Sequence, residues 1–545
     1  MRKLIAAFIA AVVLLGFAAT AQASPVAKSP APAAEYTPAP IVWGPCDSPT
    51  LQSFGAQCGM LTVPMDYAKP NGTKIQLAVS RVLHTTTDYK GVMLVNPGGP
   101  GGSGLIYSVF QTFVPNGGGA PYDWIGFDPR GVGSSVPALT CNPNFFHGDR
   151  PPYEPTTSKI YKQWINRSKA YAADCKDAAS SALFKHVKTT DSVADMESLR
   201  IALGQQKTNY YGFSYGTYLG SVYATLHPTR VGKFIFDGTV DPQRVFYKSN
   251  LDQDRAFQKT FDIYFTWLAK YNSIYHVGAT QAAVRANYFK ALRQLDQKAA
   301  GGILGGDELI DVFTSAGYYV YDWEDIAQAF SDYINQGDAT ALIARYVDAN
   351  PTTTGADNGY AMYLATQCTD APWPQSQQKL DQDSYKLVSQ GYNYFTWSNA
   401  WFNGPCAYWK FQANQPVDVT GAKVKTPILM IGETYDAATP FAGSLVVRKL
   451  FPTASLIEGL DGSTHAGSLS GVACTDDTIA TYLLTGAVPP RKSGNQSDKI
   501  CPPVPQPTPT PATAAAASSA SRAGTGRAQV LDQLRATVAF SATHG

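Results

Sequence analysis

Short apolar runs bounded by Gly, Asn, Asp or Pro recur along the first half of the chain and again towards its end. They lie at 75–83, 92–95, 124–127, 208–211, 233–236, 427–431 and 455–457. Several are nearly continuous rather than alternating, as expected of strands buried on both faces of a parallel sheet. Helical spacing fills the intervals. Over 192–203, Val193, Met196, Leu199 and Leu203 share one face behind a Thr190/Asp191 start signal. Strands alternating with helices predict an α/β fold with a doubly wound, mostly parallel sheet.

Between 246 and 415 the texture changes. Long helical patterns rich in Tyr, Phe, Gln and Ala dominate, as over 252–271 and 281–298, and buried-strand runs are few. This predicts a helical cap inserted into a sheet domain made of 41–245 and 416–501. Residues 24–40 are rich in Ala and Pro and read as a linker, and 502–545 read as a low-complexity, disordered tail. The first 23 residues read as a cleavable secretory signal: Arg2 and Lys3, an apolar stretch over 5–19, then Ala21-Gln22-Ala23. That stretch is short for a membrane span, so the expected location is extracytoplasmic, with no membrane attachment once the signal is removed.

Charge is nearly balanced, 43 basic against 41 acidic residues, without a block of one sign. Nucleic acid and anionic membranes are therefore not expected as partners. The eight cysteines include no Cys-x-x-Cys, which argues against a zinc or thioredoxin-like site. In an exported chain they predict structural disulfides. Pairing of neighbours, each closing a modest loop, gives Cys46–Cys58, Cys141–Cys175, Cys368–Cys406 and Cys474–Cys501.

The candidate chemistry starts from Gly212-Phe213-Ser214-Tyr215-Gly216, which stands between a predicted strand and a predicted helix. That context makes it the nucleophile elbow of an α/β-hydrolase. A serine hydroxyl needs a base, and the base needs an acid to hold its tautomer. In this fold the chain order is Ser, then Asp or Glu, then His. Of the histidines beyond Ser214, His227 follows the elbow helix too closely, His276 lies in the cap and His544 in the tail. His465 remains, in a glycine-containing loop after a predicted strand. The acid should follow the strand at 427–431, where Asp436 is the first choice and Glu433 the alternative. Asp461 lies so near His465 that it reads as a loop cap. The oxyanion hole would use the Tyr215 N–H and a donor from Asn96-Pro97-Gly98-Gly99-Pro100-Gly101-Gly102-Ser103-Gly104, with Gly98 and Gly99 as candidates. A phosphate cradle is the rival reading of that loop, but no Lys-Ser/Thr follows it.

These segments, with Asp128-Pro129-Arg130-Gly131-Val132-Gly133-Ser134-Ser135, Asp237-Gly238 and Tyr435-Asp436-Ala437-Ala438-Thr439-Pro440, resemble the secreted tripeptidyl aminopeptidases and proline iminopeptidases in the family's order. The resemblance covers most of 41–501. It implies a serine exopeptidase in which Ser214, Asp436 and His465 form the triad, while Asp128 and Arg130 are structural. The sequence departs from the usual Gly-His-Gly at Thr464-His465-Ala466-Gly467. Peptides with a free N-terminus are the implied substrates, and no metal or cofactor is implied. Holding a free ammonium requires carboxylates; Asp370 is the first candidate, followed by Glu324 and Asp325. A carboxylesterase would use the same machinery, and a catalytically silent binding protein could keep the same fold.

Overall fold

The computed structural model describes residues 36–509. The signal read over 1–23, most of the linker, and the tail beyond 509 lie outside the described residues. Ten strands form one sheet: β1 (Gly44–Pro45), β2 (Gln57–Pro64), β3 (Lys74–Val82), β4 (Val92–Asn96), β5 (Asp123–Phe127), β6 (Thr208–Phe213), β7 (Val231–Asp237), β8 (Ile428–Glu433), β9 (Ala454–Gly459) and β10 (Lys499–Cys501). Their spatial order is β1-β2-β3-β5-β4-β6-β7-β8-β9-β10. The first three and β5 pair antiparallel, and from β5 through β10 every pairing is parallel.

Every residue of β4, β6 and β8 is buried. Successive side chains go to opposite faces. Leu94, Tyr210 and Met430 join one core, whereas Met93, Val95, Tyr211, Leu429 and Ile431 join another. Helices on both faces are what a continuous apolar strand requires. The chain reverses its direction of travel across the sheet at β4, which lies between β5 and β6. In open α/β sheets the ligand crevice forms beyond the carboxyl ends of strands at such a switch. Register aligns those ends: Asn96 pairs with Gly212, Phe213 with Asp237, and Glu433 with Gly459.

Between β7 and β8 run nine α-helices, from Tyr247–Lys270 to Thr396–Phe402. They carry an aromatic core of their own, including Phe257, Phe261, Trp267, Phe313 and Trp323. This layer also takes in chain that the sequence pattern assigns to the sheet domain. Tyr153 and Trp164, which precede β6, pack with Trp397 and Trp401, and the indole of Trp401 donates to the Tyr153 carbonyl at 2.8 Å. The beginning of the segment read as a disordered tail packs against the fold. Val504 is buried with its N–H on Glu433, and the Trp267 indole donates to the Pro507 carbonyl at 2.9 Å.

Four disulfides join Cys46 to Cys58, Cys141 to Cys175, Cys368 to Cys406, and Cys474 to Cys501. The Cys368–Cys406 bridge spans 38 residues and ties the helix Asn358–Asp370 to the turn at Gly404–Tyr408. Replacing both of its cysteines by alanine is expected to cost about 4 kcal/mol, against about 3 kcal/mol for the shorter Cys46–Cys58 loop. Urea midpoints of the two double variants, measured side by side, check the order.

Candidate active site

Ser214 occupies the one-residue turn between β6 and the helix Tyr215–Leu226, at φ 53° and ψ −126°. A left-handed φ is strained for a residue with a β-carbon. Hydrogen bonds hold it there: its N–H donates to the Asp237 carbonyl at 3.0 Å, and its carbonyl accepts from the Thr217 N–H at 2.8 Å. The flanking glycines are needed for space. A β-carbon on Gly212 would stand 2.5 Å from the Gly216 carbonyl oxygen, and one on Gly216 would stand 2.7 Å from that of Asn96.

The glycine loop after β4 lies directly against this elbow. A β-carbon on Gly98 would be 2.9 Å from Ser214 Cβ and 3.0 Å from the Tyr215 nitrogen. The Gly98 N–H, however, donates to Asn96 Oδ1 at 3.0 Å. Gly99, at φ 103°, lines the cavity together with Tyr215. Of the two glycines singled out from sequence, Gly99 thus lines the cavity, while Gly98 packs against the elbow with its N–H on Asn96. Asp128 fixes the far end of the loop, accepting from Ser103 Oγ at 2.7 Å and Gly104 N–H at 2.8 Å, and also from Ser134 N–H at 2.7 Å. Arg130 makes a buried two-pronged ion pair with Asp195 at 2.6 and 2.7 Å.

His465 sits with Nδ1 at 2.8 Å from Asp436 Oδ2 and 3.0 Å from Oδ1. Both residues are 2% exposed. Asp436 also accepts from the Ala438 N–H, the Thr439 N–H and Thr439 Oγ1, at 3.0, 2.9 and 2.8 Å. Because it takes the Nδ1 proton, it leaves Nε2 as an acceptor. The ring fits beside Gly238, where a β-carbon would come within 2.9 Å of Cε1. From the helical layer, the Tyr318 carbonyl accepts the His465 N–H at 2.8 Å.

Ser214, Tyr215, Gly99 and His465 line one cavity of about 610 Å³, with Asp436 behind the imidazole. The opposite wall comes from the helical layer. Asp311, Thr314 and Tyr318 share a face of the helix Gly306–Tyr318, and Phe246, Phe395 and Phe402 add aromatic surface. The arrangement suits acyl transfer: a hydroxyl on a strained turn and an imidazole with one nitrogen open, both on one cavity.

The TAP-like protein family model matches residues 392–501, the segment that contains Asp436 and His465. The tripeptidyl aminopeptidase of Streptomyces coelicolor is 38% identical to this chain over 84% of it and 86% of the relative. Serine protease Hip1 of Mycobacterium tuberculosis is 31% identical over 83% of this chain and 90% of the relative. Carboxylesterase B of Mycobacterium tuberculosis is 29% identical over 84% of this chain and 92% of the relative. The chain belongs to the tripeptidyl aminopeptidase family. It is an enzyme, a serine peptidase with an α/β-hydrolase fold.

In this family member the other acids considered from sequence lie away from the cavity wall. Asp370 is buried at the end of its helix, where it accepts the Thr189 N–H at 2.8 Å and the Thr189 hydroxyl. It thus secures the start of the helix Thr189–Ala202, and its Thr189 partner is bonded in turn to the Tyr215 hydroxyl at 2.6 Å. Glu324 and Asp325 lie in the first turn of Trp323–Gln336, with Asp325 exposed and 3.7 Å from Arg345. Asp461 is exposed in a turn at φ 63°. The acids that do line the cavity are Asp241, Asp252 and Asp311. Nothing in the sequence sets these three apart from the chain's other acids, since only the folded chain brings them to one cavity.

Glu433, the alternative acid, accepts the Thr464 N–H and the Val504 N–H, each at 2.6 Å, and burial pushes it up to about 8. It anchors the histidine loop from behind. Asp237 was singled out only as part of Asp237-Gly238. Its carbonyl holds the Ser214 N–H and its carboxylate holds the Ser468 N–H at 2.9 Å, so one residue ties the elbow to the histidine loop. The strand-end position beside Phe213 was its one signal in the sequence.

Burial pushes Asp370 up to about 7, against the lowering effect of its bonds to Thr189. A carboxyl raised in the folded state contributes stability that is complete below about pH 4 and is lost as pH rises through about 7. Asp370→Asn, which does not titrate, is expected to melt below the parent at pH 4, with the gap narrowing by pH 8. Its KM for a free-amine peptide amide should stay within about twofold of the parent. Melting curves across that range, with steady-state kinetics at one pH, check both parts.

Proposed function

We propose that the protein is an exported exopeptidase that releases tripeptides from free N-termini, with Ser214 as nucleophile, His465 as general base and then acid, and Asp436 as the group that orients and charges it. One observation carries this reading: the His465–Asp436 bond stands on the same cavity as a serine held at positive φ after a strand. Ser214 Oγ attacks the scissile carbonyl while Nε2 takes its proton. The oxyanion that forms is met by the Tyr215 and Gly99 N–H groups. The C–N bond then breaks as His465 gives the proton to the leaving amine. Water, deprotonated by the same imidazole, hydrolyses the acyl-enzyme and restores Ser214.

The length of the released unit is read from the helix Gly306–Tyr318. Tyr318 stands at His465, and Asp311 lies seven residues back on the same cavity-lining face. At about 1.5 Å per residue that is about 10 Å. Three extended residues span about the same distance, at about 3.3 Å each. A peptide acylating Ser214 through its third residue would bring its ammonium to Asp311. The name of the Streptomyces coelicolor relative supports this length. The four disulfides support export to an oxidising compartment.

Ser214→Ala is expected to lower kcat by at least about 10⁴-fold without changing the melting temperature. The parent should cleave a free-amine tripeptide amide in preference to single-residue amides, an N-acetylated tripeptide amide or a simple acyl ester. Cleavage of the ester alone would make the enzyme a carboxylesterase and remove the amine pole with it.

Asp311→Asn is expected to raise KM for the free-amine tripeptide amide by about tenfold or more, leaving the residual rate on its N-acetylated form unchanged. An equal loss on both substrates would show that Asp311 serves the structure and not the ammonium.

A further inference from the structure

Away from the cavity, the start of the helix Gly306–Tyr318 meets the loop that precedes Arg150. Carboxylate oxygens of Asp149, Asp307 and Glu308 all lie within 4.8 Å of one another there. They converge on the open side of Gly305. A β-carbon at that position would stand 2.6 Å from Asp149 Oδ1, 2.8 Å from Glu308 Oε2 and 3.3 Å from Asp307 Oδ1. Crowded acids alone would signify little. The second observation is Asp307 itself. It is 1% exposed, and neither of its carboxylate oxygens has a hydrogen-bond partner among the described residues.

The neighbouring cation pairs with Asp307 by charge but gives it no hydrogen bond. Arg150 spends its N–H groups on Glu308, Tyr153 and Asp311, with Nε bonded to Glu308 at 2.8 Å and 3.3 Å from Asp307 Oδ2 without a hydrogen bond. Asp296 adds a further carboxylate beside Gly306, 2.2 Å from where a β-carbon would stand. The carboxylates of Asp149, Asp307, Glu308 and Asp311 thus crowd about Arg150, with Asp296 beside them at Gly306, and the other nearby guanidinium, Arg167, faces Asp307 from beyond ion-pair distance. Like charges this close cannot all remain ionised in a buried place without a further cation or a shared proton.

We propose that Asp149, Asp307 and Glu308 bind one calcium ion. The donors are all hard oxygens, with no imidazole or thiolate, which favours calcium over a transition metal. Calcium accepts six to eight oxygens at about 2.3–2.6 Å in flexible geometry. Asp149 is exposed, so water can complete the shell from that side. The ion is structural. It would fasten the start of the helix whose other end holds His465 to the loop between β5 and β6, and it stands independently of the peptidase reading.

The test uses full-length protein treated with a chelator and then titrated with CaCl₂, by isothermal calorimetry and by thermal melting, with MgCl₂ and NaCl at matched ionic strength. The expected result is one Ca²⁺ per chain and a rise of several degrees in melting temperature, greater than with Mg²⁺. Asp307→Asn should abolish both. Asp149→Asn, on the exposed side, should fold normally and bind at least about tenfold more weakly. No heat of binding and no melting shift at about 10 mM Ca²⁺ would overturn the proposal and leave a proton shared between the acids. A shift equal in size with Mg²⁺, or undiminished in Asp149→Asn, would overturn it as well.

Discussion

The backbone at Ser214 constrains everything at the carboxyl edge of the sheet. A residue with a β-carbon at φ 53° sits in strain of about 1–2 kcal/mol, and it persists only where its surroundings leave no alternative. Here β6 ends at Phe213 and the next helix begins at Tyr215, so the turn has a single residue in which to reverse. Both peptide groups of that residue are bonded, one to Asp237 and one to Thr217. Three backbones pass so close that Gly98, Gly212 and Gly216 admit no side chain. The glycine loop lies directly against the elbow at Gly98, and Tyr215 and Gly99 line the same cavity.

Loops at a sheet edge are ordinarily the mobile part of a fold. Three buried carboxylates act as struts against that tendency. Asp128 grips the glycine loop, Asp237 joins the elbow to the histidine loop, and Glu433 joins the histidine loop to the chain at Val504. Each accepts backbone N–H groups that would otherwise be buried without partners, at a cost of about 1–3 kcal/mol apiece. Burial pushes Asp237 up to about 6 and Glu433 up to about 8. Asp436 differs in its partners: its oxygens take two backbone N–H groups, a hydroxyl and the imidazole.

The sequence exposes those parts of the fold whose residues have one physical reason to be there. The strands β4, β6 and β8 are buried on both faces and so read as unbroken apolar runs. By contrast, β2 has a mixed burial pattern, while β1 and β10 have two and three residues, too short for any periodicity to register. At the site, Ser214 and His465 are legible because glycine, strand and chain order restrict them. Acids are not legible in the same way. Asp370, Asp311 and Glu433 look alike in sequence, yet one secures a helix start, one lines the cavity and one anchors a loop. What separates them is which backbone N–H or guanidinium lies within 3 Å, and that comes from pairings more than a hundred residues apart in some cases. The same holds for Gly98 and Gly99, which only the Asn96 side chain distinguishes.

The helical layer is more than a cover over the sheet. His465 enters its position with its N–H on the Tyr318 carbonyl, and the Thr464 hydroxyl accepts from the Val320 N–H at 3.2 Å. The rings of Tyr318 and Tyr319 stand 5.8 and 6.3 Å from the imidazole. The inserted helices therefore help to place the imidazole as well as to wall the cavity. A helix is a stiff spacer, so a shift at the Asp311 end of Gly306–Tyr318 is carried to the histidine loop instead of being absorbed between them. Arg150 holds that distant end through Glu308 and Asp311, and the Tyr318 carbonyl holds the near end. One rigid element thus bounds the cavity and holds the histidine loop, so the inserted layer can change the length of the cavity only by accommodating that loop as well.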